Sequence, residues 1–282
     1  MRRTGWLCLA AAIGMALGQG RAAADRLELA YDAYNSGFHI MSLELEIELD
    51  RNSYDVTARY RTAGVLSWIW PWESTARSRG KVHEGALLPD QHRVHSRVRG
   101  RERTVEIGYR EGQAVAVQVL PPPPQDFERE PVGEAERRGA GDPMTAILAA
   151  LREAQTTGAC AGRRAVFDGR RRYDLEFRQL AFERLESGRQ DRFNGIARAC
   201  EFTYRPLGGF LRRTDDSERG RRVRTGRVWL AGVIPGAPEA PVRIEIDSEY
   251  WGPTIVHLRG AVRRADARQD ERRLAGAVRR GD

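Results

Sequence analysis

The feature that most constrains the fold is a strict alternation of apolar and acidic residues near the start of the chain. Between positions 43 and 50, aliphatic residues take every second place and acids fill the others: Leu43, Glu44, Leu45, Glu46, Ile47, Glu48, Leu49 and Asp50. Successive side chains of a β-strand point to opposite faces, so this segment predicts a strand with one apolar and one acidic face. The apolar face has to be covered, which predicts a second layer packed on the sheet.

Similar alternation, interrupted by turn signals, recurs over most of the chain. It predicts strands at 54–62, 73–82, 93–99, 104–109 and 114–120, and again at 165–168, 172–177, 195–204, 210–213, 226–231, 243–250 and 254–261. Between the two series lies a proline run at 121–124, which ends the first series because proline cannot donate to a strand ladder. The polar segment 125–141 predicts an exposed loop.

One helix is predicted, and it begins at Asp142-Pro143. Aspartate favours the N-cap, and proline favours the first helical position. An apolar stripe at helical spacing is predicted to pack on the sheet: Met144, Ile147, Leu148 and Leu151. These elements predict a mainly β fold, either a curved antiparallel sheet or a half-open, barrel-like meander, with one packed α-helix.

The first 24 residues have the order of a cleavable secretory signal peptide. Arg2 and Arg3 precede an uncharged apolar run at 6–17, and the segment ends in small residues, which predicts cleavage after Ala24 and a periplasmic protein. The run is too short to span a bilayer. A twin-arginine signal and a retained anchor are the alternatives. Behind this peptide we predict a single β-rich domain at 25–262 and a charged, disordered tail at 263–282.

Removing the signal peptide changes how the charge is interpreted. The full chain has a net charge of +8; loss of Arg2, Arg3 and Arg21 leaves 44 basic residues against 39 acidic ones, or +5. The basic residues are interspersed with acids, and every one except Lys81 is arginine. Nucleic acid is therefore not a predicted partner, and no transmembrane segment is predicted in the mature chain.

Two cysteines remain in the mature chain, Cys160 and Cys200. An even, isolated pair in an oxidising compartment favours a disulfide. Two buried free thiols are the alternative.

A tryptophan cluster is the most unusual motif. Trp68, Trp70 and Trp72 make up half of the six tryptophans in the chain. They are candidate ligand-binding residues, forming an apolar lip that gates a cavity or touches a membrane surface. The alternative is that alternate tryptophans point into the core of a bent strand.

Other polar residues give no catalytic or metal motif. His92 and His95 differ by an odd number, so on a regular strand they point to opposite faces. Asp168-Gly169 is typical of a turn, and Asp174 is expected to face solvent. No cofactor fingerprint or nucleophile motif is present, so no catalytic residue, cofactor or metal site is predicted.

Five segments carry a resemblance to a known family. They are Leu29-Ala30-Tyr31-Asp32 with Gly37, the Gly64-to-Pro71 segment leading to Ser78-Arg79-Gly80, Asp142-Pro143-Met144-Thr145-Ala146, Val166 through Leu175, and Cys200 through Tyr204-Arg205-Pro206 to Gly208-Gly209-Phe210. In this order, over roughly residues 27–260, they resemble DUF3108, a domain-of-unknown-function family of exported proteobacterial proteins. The resemblance implies a β-rich envelope protein akin to the half-barrel carriers of lipids and lipoproteins. It supplies no catalytic residues.

Three functions are compatible with these observations. The leading one is a periplasmic protein that binds or carries an apolar, lipid-like ligand in its curved sheet. The second is an envelope assembly or structural factor that acts through contacts with a partner protein. The third is a hydrolase whose site is not visible in the sequence.

Overall fold

The computed structural model describes residues 25–122, 129–187, 192–212, 220–247 and 252–264. The first seven strands are β1 (Asp25–Asn35), β2 (Phe38–Leu49), β3 (Ser53–Thr62), β4 (Trp72–His83), β5 (Ala86–Val98), β6 (Arg101–Arg110) and β7 (Gln113–Leu120). The last six are β8 (Arg163–Phe167), β9 (Arg172–Leu185), β10 (Gly195–Gly208), β11 (Arg224–Ala231), β12 (Ala240–Ile246) and β13 (Thr254–Arg264). Three helices are α1 (Leu66–Ile69), α2 (Glu134–Arg137) and α3 (Pro143–Thr157). None of the helices in those ranges has the length and hydropathy that a membrane span requires.

All 13 strands form one antiparallel sheet in the order β7-β6-β5-β4-β3-β2-β1-β13-β12-β11-β10-β9-β8. Each strand pairs with the one that follows it along the chain, except β7, which does not pair with β8; β1 also pairs with β13, which joins the two halves. The sheet does not close, because β7 and β8 are its two edges. The prediction of a mainly β, antiparallel and half-open fold is confirmed.

The sheet is curved around helix α3. This helix contacts β4 and β5 in the first half of the sheet and also β8 at the far edge. The turn between β8 and β9 reaches β6, where a Cβ placed on Gly169 would lie 2.5 Å from Cγ1 of Val105. Glycine is required at this position because Gly169 also has a positive φ of 89°. The curvature leaves an interior that α3 divides into two sides.

Helix α3 begins as the sequence predicts. Asp142 is the N-cap, and its Oδ1 accepts hydrogen bonds from the backbone N–H groups of Met144 and Thr145, each at 3.0 Å. Gly158 ends the helix in the left-handed conformation. The apolar stripe is only partly correct: Met144 and Leu148 are buried, whereas Ile147 is 48% exposed.

Several boundaries differ from the predicted ones. Strand β5 begins at Ala86 rather than at 93, because Glu84-Gly85 forms a hairpin turn with positive φ at both residues. The segment 125–141 is not simply an exposed loop, since it contains α2 and the fully buried Ala140. At the end of the domain, β13 continues to Arg264. The predicted signal peptide and the rest of the predicted tail lie outside the described residues.

Candidate ligand groove

A buried polar network joins strands β4 and β5 to the start of α3. Ser78 on β4 pairs with His92 on β5, and Ser78 Oγ lies 2.8 Å from His92 Nδ1. The same hydroxyl donates to Asp142 Oδ1 at 2.6 Å. Ser78, His92 and Asp142 are all buried. No sequence pattern connects these three residues, because the sequence does not show which strand positions face each other.

The hydrogen bonds of this network fix where its protons lie. Ser78 gives its only hydroxyl proton to Asp142, so His92 Nδ1 carries a proton and donates it to Ser78 Oγ. In the same way Thr145 Oγ1 donates to Asp142 Oδ2 at 2.6 Å, and Tyr54 Oη therefore donates to Thr145 Oγ1 at 2.7 Å. Burial lowers the pKa of His92 below its ordinary value, although the negative charge of Asp142 acts in the opposite direction. The imidazole is therefore neutral at pH 7.

The network holds the residue types of a hydrolase triad in a different arrangement. In such a triad the histidine lies between the serine and the acid and takes the serine proton. Here Ser78 lies between His92 and Asp142, gives its proton to the acid, and has no exposed surface. His95 lies on the other face of β5, where it contacts Thr104. We conclude that the network anchors α3 to the sheet.

The other side of α3 faces an apolar groove. Its volume is about 280 Å³, and none of the described residues that line it is charged. The helix contributes Ile147, Leu151 and Ala154, and strands β9 to β12 contribute Leu175, Phe202 and Ile246. Ile147 is exposed because this member of the helical stripe faces the groove rather than a packed sheet. We call this space the apolar groove.

A second, larger space continues from the apolar groove. Its volume is about 600 Å³, and it shares Ile147, Leu175, Phe202 and Ile246 with the groove. The remaining lining is more polar and includes Tyr173, Tyr204, Arg129, Arg171 and Arg224. The two tyrosine rings lie 4.6 Å apart between their centroids. We call this space the arginine chamber.

The disulfide lies on the groove side of the helix. Cys160 and Cys200 are bonded, with their Cα atoms 6.0 Å apart, which confirms the predicted pairing. Cys160 follows α3 and lines the apolar groove, while Cys200 is buried on β10. The bond therefore ties the C-terminal end of the helix to the sheet behind the groove.

The three tryptophans occupy two different environments. Trp68 and Trp70 lie in and after the short helix α1, and Trp68 is 89% exposed. Trp72 begins β4 and stacks on Tyr60, with ring centroids 6.1 Å apart. None of the three lines the apolar groove or the arginine chamber. Ligand binding by these residues stays a prediction.

The exposed tryptophan belongs to a larger apolar tip. Val65, Trp68, Ile69 and, across the neighbouring turn, Phe38 are all strongly exposed. The two segments are held together because Ala63 N–H donates to the carbonyl oxygen of Ile40 at 3.0 Å. We call the four exposed residues the apolar tip.

One arginine, Arg99, lies beside the apolar tip. The guanidinium carbon of Arg99 lies 4.1 Å from the centroid of the Trp70 ring, and Arg99 donates to the carbonyl oxygen of Ile69. The strand register also places the tip at the same end of the sheet as the arginine chamber. Ile246 in the chamber wall pairs with Thr254, and Thr254 pairs with Asn35 at the turn that carries Phe38.

Two aspartates of the β8–β9 region have different roles. Asp168 accepts the backbone N–H groups of Arg170 and Arg171, as its predicted turn position requires. The expectation that Asp174 faces solvent is wrong, because it is 4% exposed and pairs with Arg172 at 2.7 Å. Within the described ranges, no group of three or more histidine, cysteine or acidic side chains is placed to hold a metal ion.

The open antiparallel sheet, packed on one helix with an apolar groove beside it, defines the chain as a mainly β protein. Within that class, the chain belongs to the family "Protein of unknown function (DUF3108)", which matches residues 30–259 and confirms the family resemblance. One similar solved structure is a beta-barrel-like protein of domain of unknown function DUF1849 from Brucella abortus. The similarity covers 86% of this chain and 99% of that chain, with 10% sequence identity and a TM-score of 0.49. No curated protein matches the chain.

Proposed function

We propose that this protein is a periplasmic carrier that binds an apolar, lipid-like ligand in the apolar groove. The observation that carries the proposal is the uncharged lining of a space beside α3, whose residues Met144 and Leu148 pack on β3 and β4 on the other side. Ligand sites are typically concave and mostly apolar, and they occupy roughly 300–1,000 Å³. The adjoining chamber, at about 600 Å³, lies within this range, and the groove, at about 280 Å³, lies just below its lower limit.

The exposure of Ile147 supports the same proposal. It lies beside Leu148 on α3, yet Leu148 is buried and Ile147 is not. Burying an aliphatic side chain contributes about 1.5–3 kcal/mol, so an apolar residue left facing an internal space is available for contact with a bound hydrocarbon. A ligand tail in the groove would cover Ile147 and complete the apolar stripe of the helix.

We further propose that the apolar tip touches a phospholipid surface when the ligand is transferred. Indole rings favour the interface between lipid and water, and arginine is attracted to anionic headgroups. The tip combines Trp68 and Ile69 with the adjacent Arg99. Its position at the same end of the sheet as the arginine chamber supports a route between the membrane surface and the cavity.

The carrier proposal is tested on the full exported chain purified from the periplasm. We expect native mass spectrometry and solvent extraction to reveal a co-purified lipid-like molecule. After its removal, the neutral dye N-phenyl-1-naphthylamine should bind with increased fluorescence. Filling the groove with Ile147→Trp should reduce dye binding about tenfold or more, whereas Ile196→Trp, at an exposed isoleucine outside the groove, should not. Absence of both lipid and dye binding would overturn the proposal.

The role of the tip is tested by sedimentation with vesicles of phosphatidylethanolamine and phosphatidylglycerol. We expect Trp68→Ser combined with Ile69→Ser to reduce vesicle binding without lowering the stability of the protein, because both side chains are exposed. Ile196→Ser is the matched control at another exposed position. Equal vesicle binding by the tip variant and the wild type would contradict this role.

A further inference from the structure

We infer that the arginine chamber binds the anionic headgroup of an amphipathic ligand whose hydrocarbon tail occupies the apolar groove. This inference rests on the proposed function and specifies its ligand class. The shared chemistry is a headgroup with charged oxygen atoms, as in a carboxylate or a phosphate. The two spaces are suited to the two parts of such a molecule, because one wall is purely apolar and the other carries guanidinium groups.

The two spaces adjoin. Ile147, Leu175, Phe202 and Ile246 line both of them, so a path from the groove to the chamber passes only these four side chains. Strand β11 shows the change of character along this path. Val228 lines the apolar groove, and Arg224, which lies on the same face of β11 nearer the start of the strand, lines the chamber.

Positive charge in the chamber exceeds the negative charge that the described residues supply. Arg171 pairs with Asp168 at 2.7 Å, and Arg129 donates to the carbonyl oxygen of Gly209 at 2.7 Å. Arg224 has no ion pair with any acidic residue in the described ranges. The lining of the chamber contains three arginines and no acidic residue of the described chain. An anionic headgroup would offset this imbalance.

Neighbouring charges add to the imbalance. Burial lowers the pKa of Arg129, and the positive charge of Arg171 lowers it further. Burial also opposes the charge of Arg171, but the adjacent carboxylate of Asp168 raises the pKa of this residue. Gathering like charges in a partly buried space is unfavourable unless an opposite charge is supplied, so this geometry favours a bound anion.

The side chains present match the chemistry of oxygen anions. A guanidinium group offers paired N–H donors that fit a carboxylate or a phosphate in a bidentate manner. Tyr204 adds a hydroxyl donor at the chamber wall, since burial raises its pKa and keeps it protonated at pH 7. A cationic headgroup would meet repulsion, and a neutral one would leave Arg129 and Arg224 without an ion-pair partner among the described residues.

The test compares three ligands with the same tail and different headgroups. Dodecyl phosphate, dodecanoate and dodecanol, each below its critical micelle concentration, compete with N-phenyl-1-naphthylamine for the delipidated protein. We expect at least one of the two anionic ligands to displace the dye at a concentration about tenfold or more below that of dodecanol. The ratio between phosphate and carboxylate identifies which oxygen anion the chamber prefers.

Variants locate the effect. Arg224→Gln should weaken displacement by the anionic ligands about tenfold while leaving dodecanol unchanged. Arg227→Gln is the matched control, because it lies on the same strand but on the opposite face, outside the chamber. Urea midpoints of both variants should equal that of the wild type, since both arginines are exposed.

Each outcome has a distinct meaning. If dodecanol displaces the dye as well as the anionic ligands do, the headgroup inference is wrong and the carrier proposal stands. If none of the ligands displaces the dye and the dye itself does not bind, the carrier proposal fails as well. A preference for anionic ligands that survives both Arg224→Gln and Arg129→Gln would show that the headgroup does not lie in the arginine chamber.

Discussion

The two sides of helix α3 differ in how they are filled. On one side, Met144 and Leu148 pack on β3 and β4 beside the hydrogen-bonded residues Ser78, His92 and Asp142. On the other side, Ile147 faces a space of about 280 Å³, and the described residues that line it are all uncharged. A space of about 320 Å³ also lies on the first side, farther along the helix, but Arg152 and Glu239 contribute to its lining. Protein interiors are usually packed without large voids, so an open space with a wholly uncharged lining marks a place adapted to something other than stability.

The two sides of α3 are also stabilised by different interactions. The filled side depends on buried hydrogen bonds that position the helix, because Asp142 accepts bonds from Ser78 on β4 and from Met144 and Thr145 of the helix itself. The groove side has no comparable network among its lining residues and is tied by the Cys160–Cys200 disulfide. A covalent link preserves the spacing between helix and sheet without filling the space between them.

The largest loss of stability is expected when Asp142, on the filled side of α3, is replaced. Asp142→Ala leaves the hydroxyls of Ser78 and Thr145 and two helix N–H groups without their acceptor in a buried site. We expect the free energy of unfolding to fall by about 3–5 kcal/mol, measured by urea denaturation.

Asp50→Ala is the control for this prediction. Asp50 also accepts two backbone N–H groups, but in an exposed turn, so we expect a loss of about 1 kcal/mol or less. Equal losses for the two variants would mean that the buried network does not stabilise the protein more than an ordinary turn does.

The second-largest loss of stability is expected from removing the disulfide on the groove side. The bond joins residues 40 apart in sequence, and loss of such a link costs about 2–4 kcal/mol. We expect Cys160→Ser combined with Cys200→Ser to lower the unfolding free energy by that amount. Hydrogen exchange should show the largest loss of protection in β10 and the C-terminal end of α3. A loss of protection centred on Ser78 instead would contradict the division between the two sides.

Two adjacent residues of α3 allow the two sides of the helix to be compared through single side chains. Leu148→Ala removes a buried side chain, and we expect a loss of about 2–3 kcal/mol of stability. Ile147→Ala should cost less than about 1 kcal/mol but should weaken binding of N-phenyl-1-naphthylamine. If both variants lose the same stability, Ile147 is packed in solution and the groove is not open.

The smallest expected effect is a pH dependence from His92. Its pKa is lowered by burial, so the unfolded chain binds a proton at a higher pH than the folded protein does. The stability that neutral His92 provides is therefore present above about pH 6.5 and declines below it, by at most about 1.4 kcal/mol per pH unit.

Urea denaturation between pH 7.5 and 5.5 measures this slope. His92→Asn should reduce it, whereas His95→Asn, at an exposed histidine, should leave it unchanged. A slope that persists in His92→Asn would assign the pH dependence to another group.

Much of the fold could be predicted from local patterns. Period-two alternation located most of the strands, and Asp142-Pro143 located the start of α3, because these signals depend on neighbouring residues only. Local signals were also present where the prediction was incomplete. The Glu84-Gly85 turn has the same dipeptide as Glu111-Gly112, and recognising it would have placed the start of β5 correctly.

The candidate site could not be predicted in this way. The clustering of the three tryptophans predicted a ligand-binding site there. The groove, however, is lined by ordinary aliphatic and aromatic residues from a helix and four strands. Asp174 appeared to face solvent from its position in the strand, but Arg172 covers it in the folded protein. The groove depends on side chains that are distant in sequence, and the burial of Asp174 depends on an arginine of its own strand face, which the alternation of apolar and polar residues does not reveal.

The contact between Ser78 and His92 depends on a strand register that local sequence patterns do not predict. A regular hairpin after the Glu84-Gly85 turn would continue the pairing of Gly80 with Pro89, but a register shift at this point pairs Arg79 with Gln91 instead. That shift brings His92, rather than Gln91, opposite Ser78. The sequence by itself determined the antiparallel strands, the helix start and the cysteine pair, because each follows from local periodicity, capping or residue count. Only the tertiary structure decided the buried network, the groove and the arginine chamber, because register and curvature bring together residues that no local pattern connects.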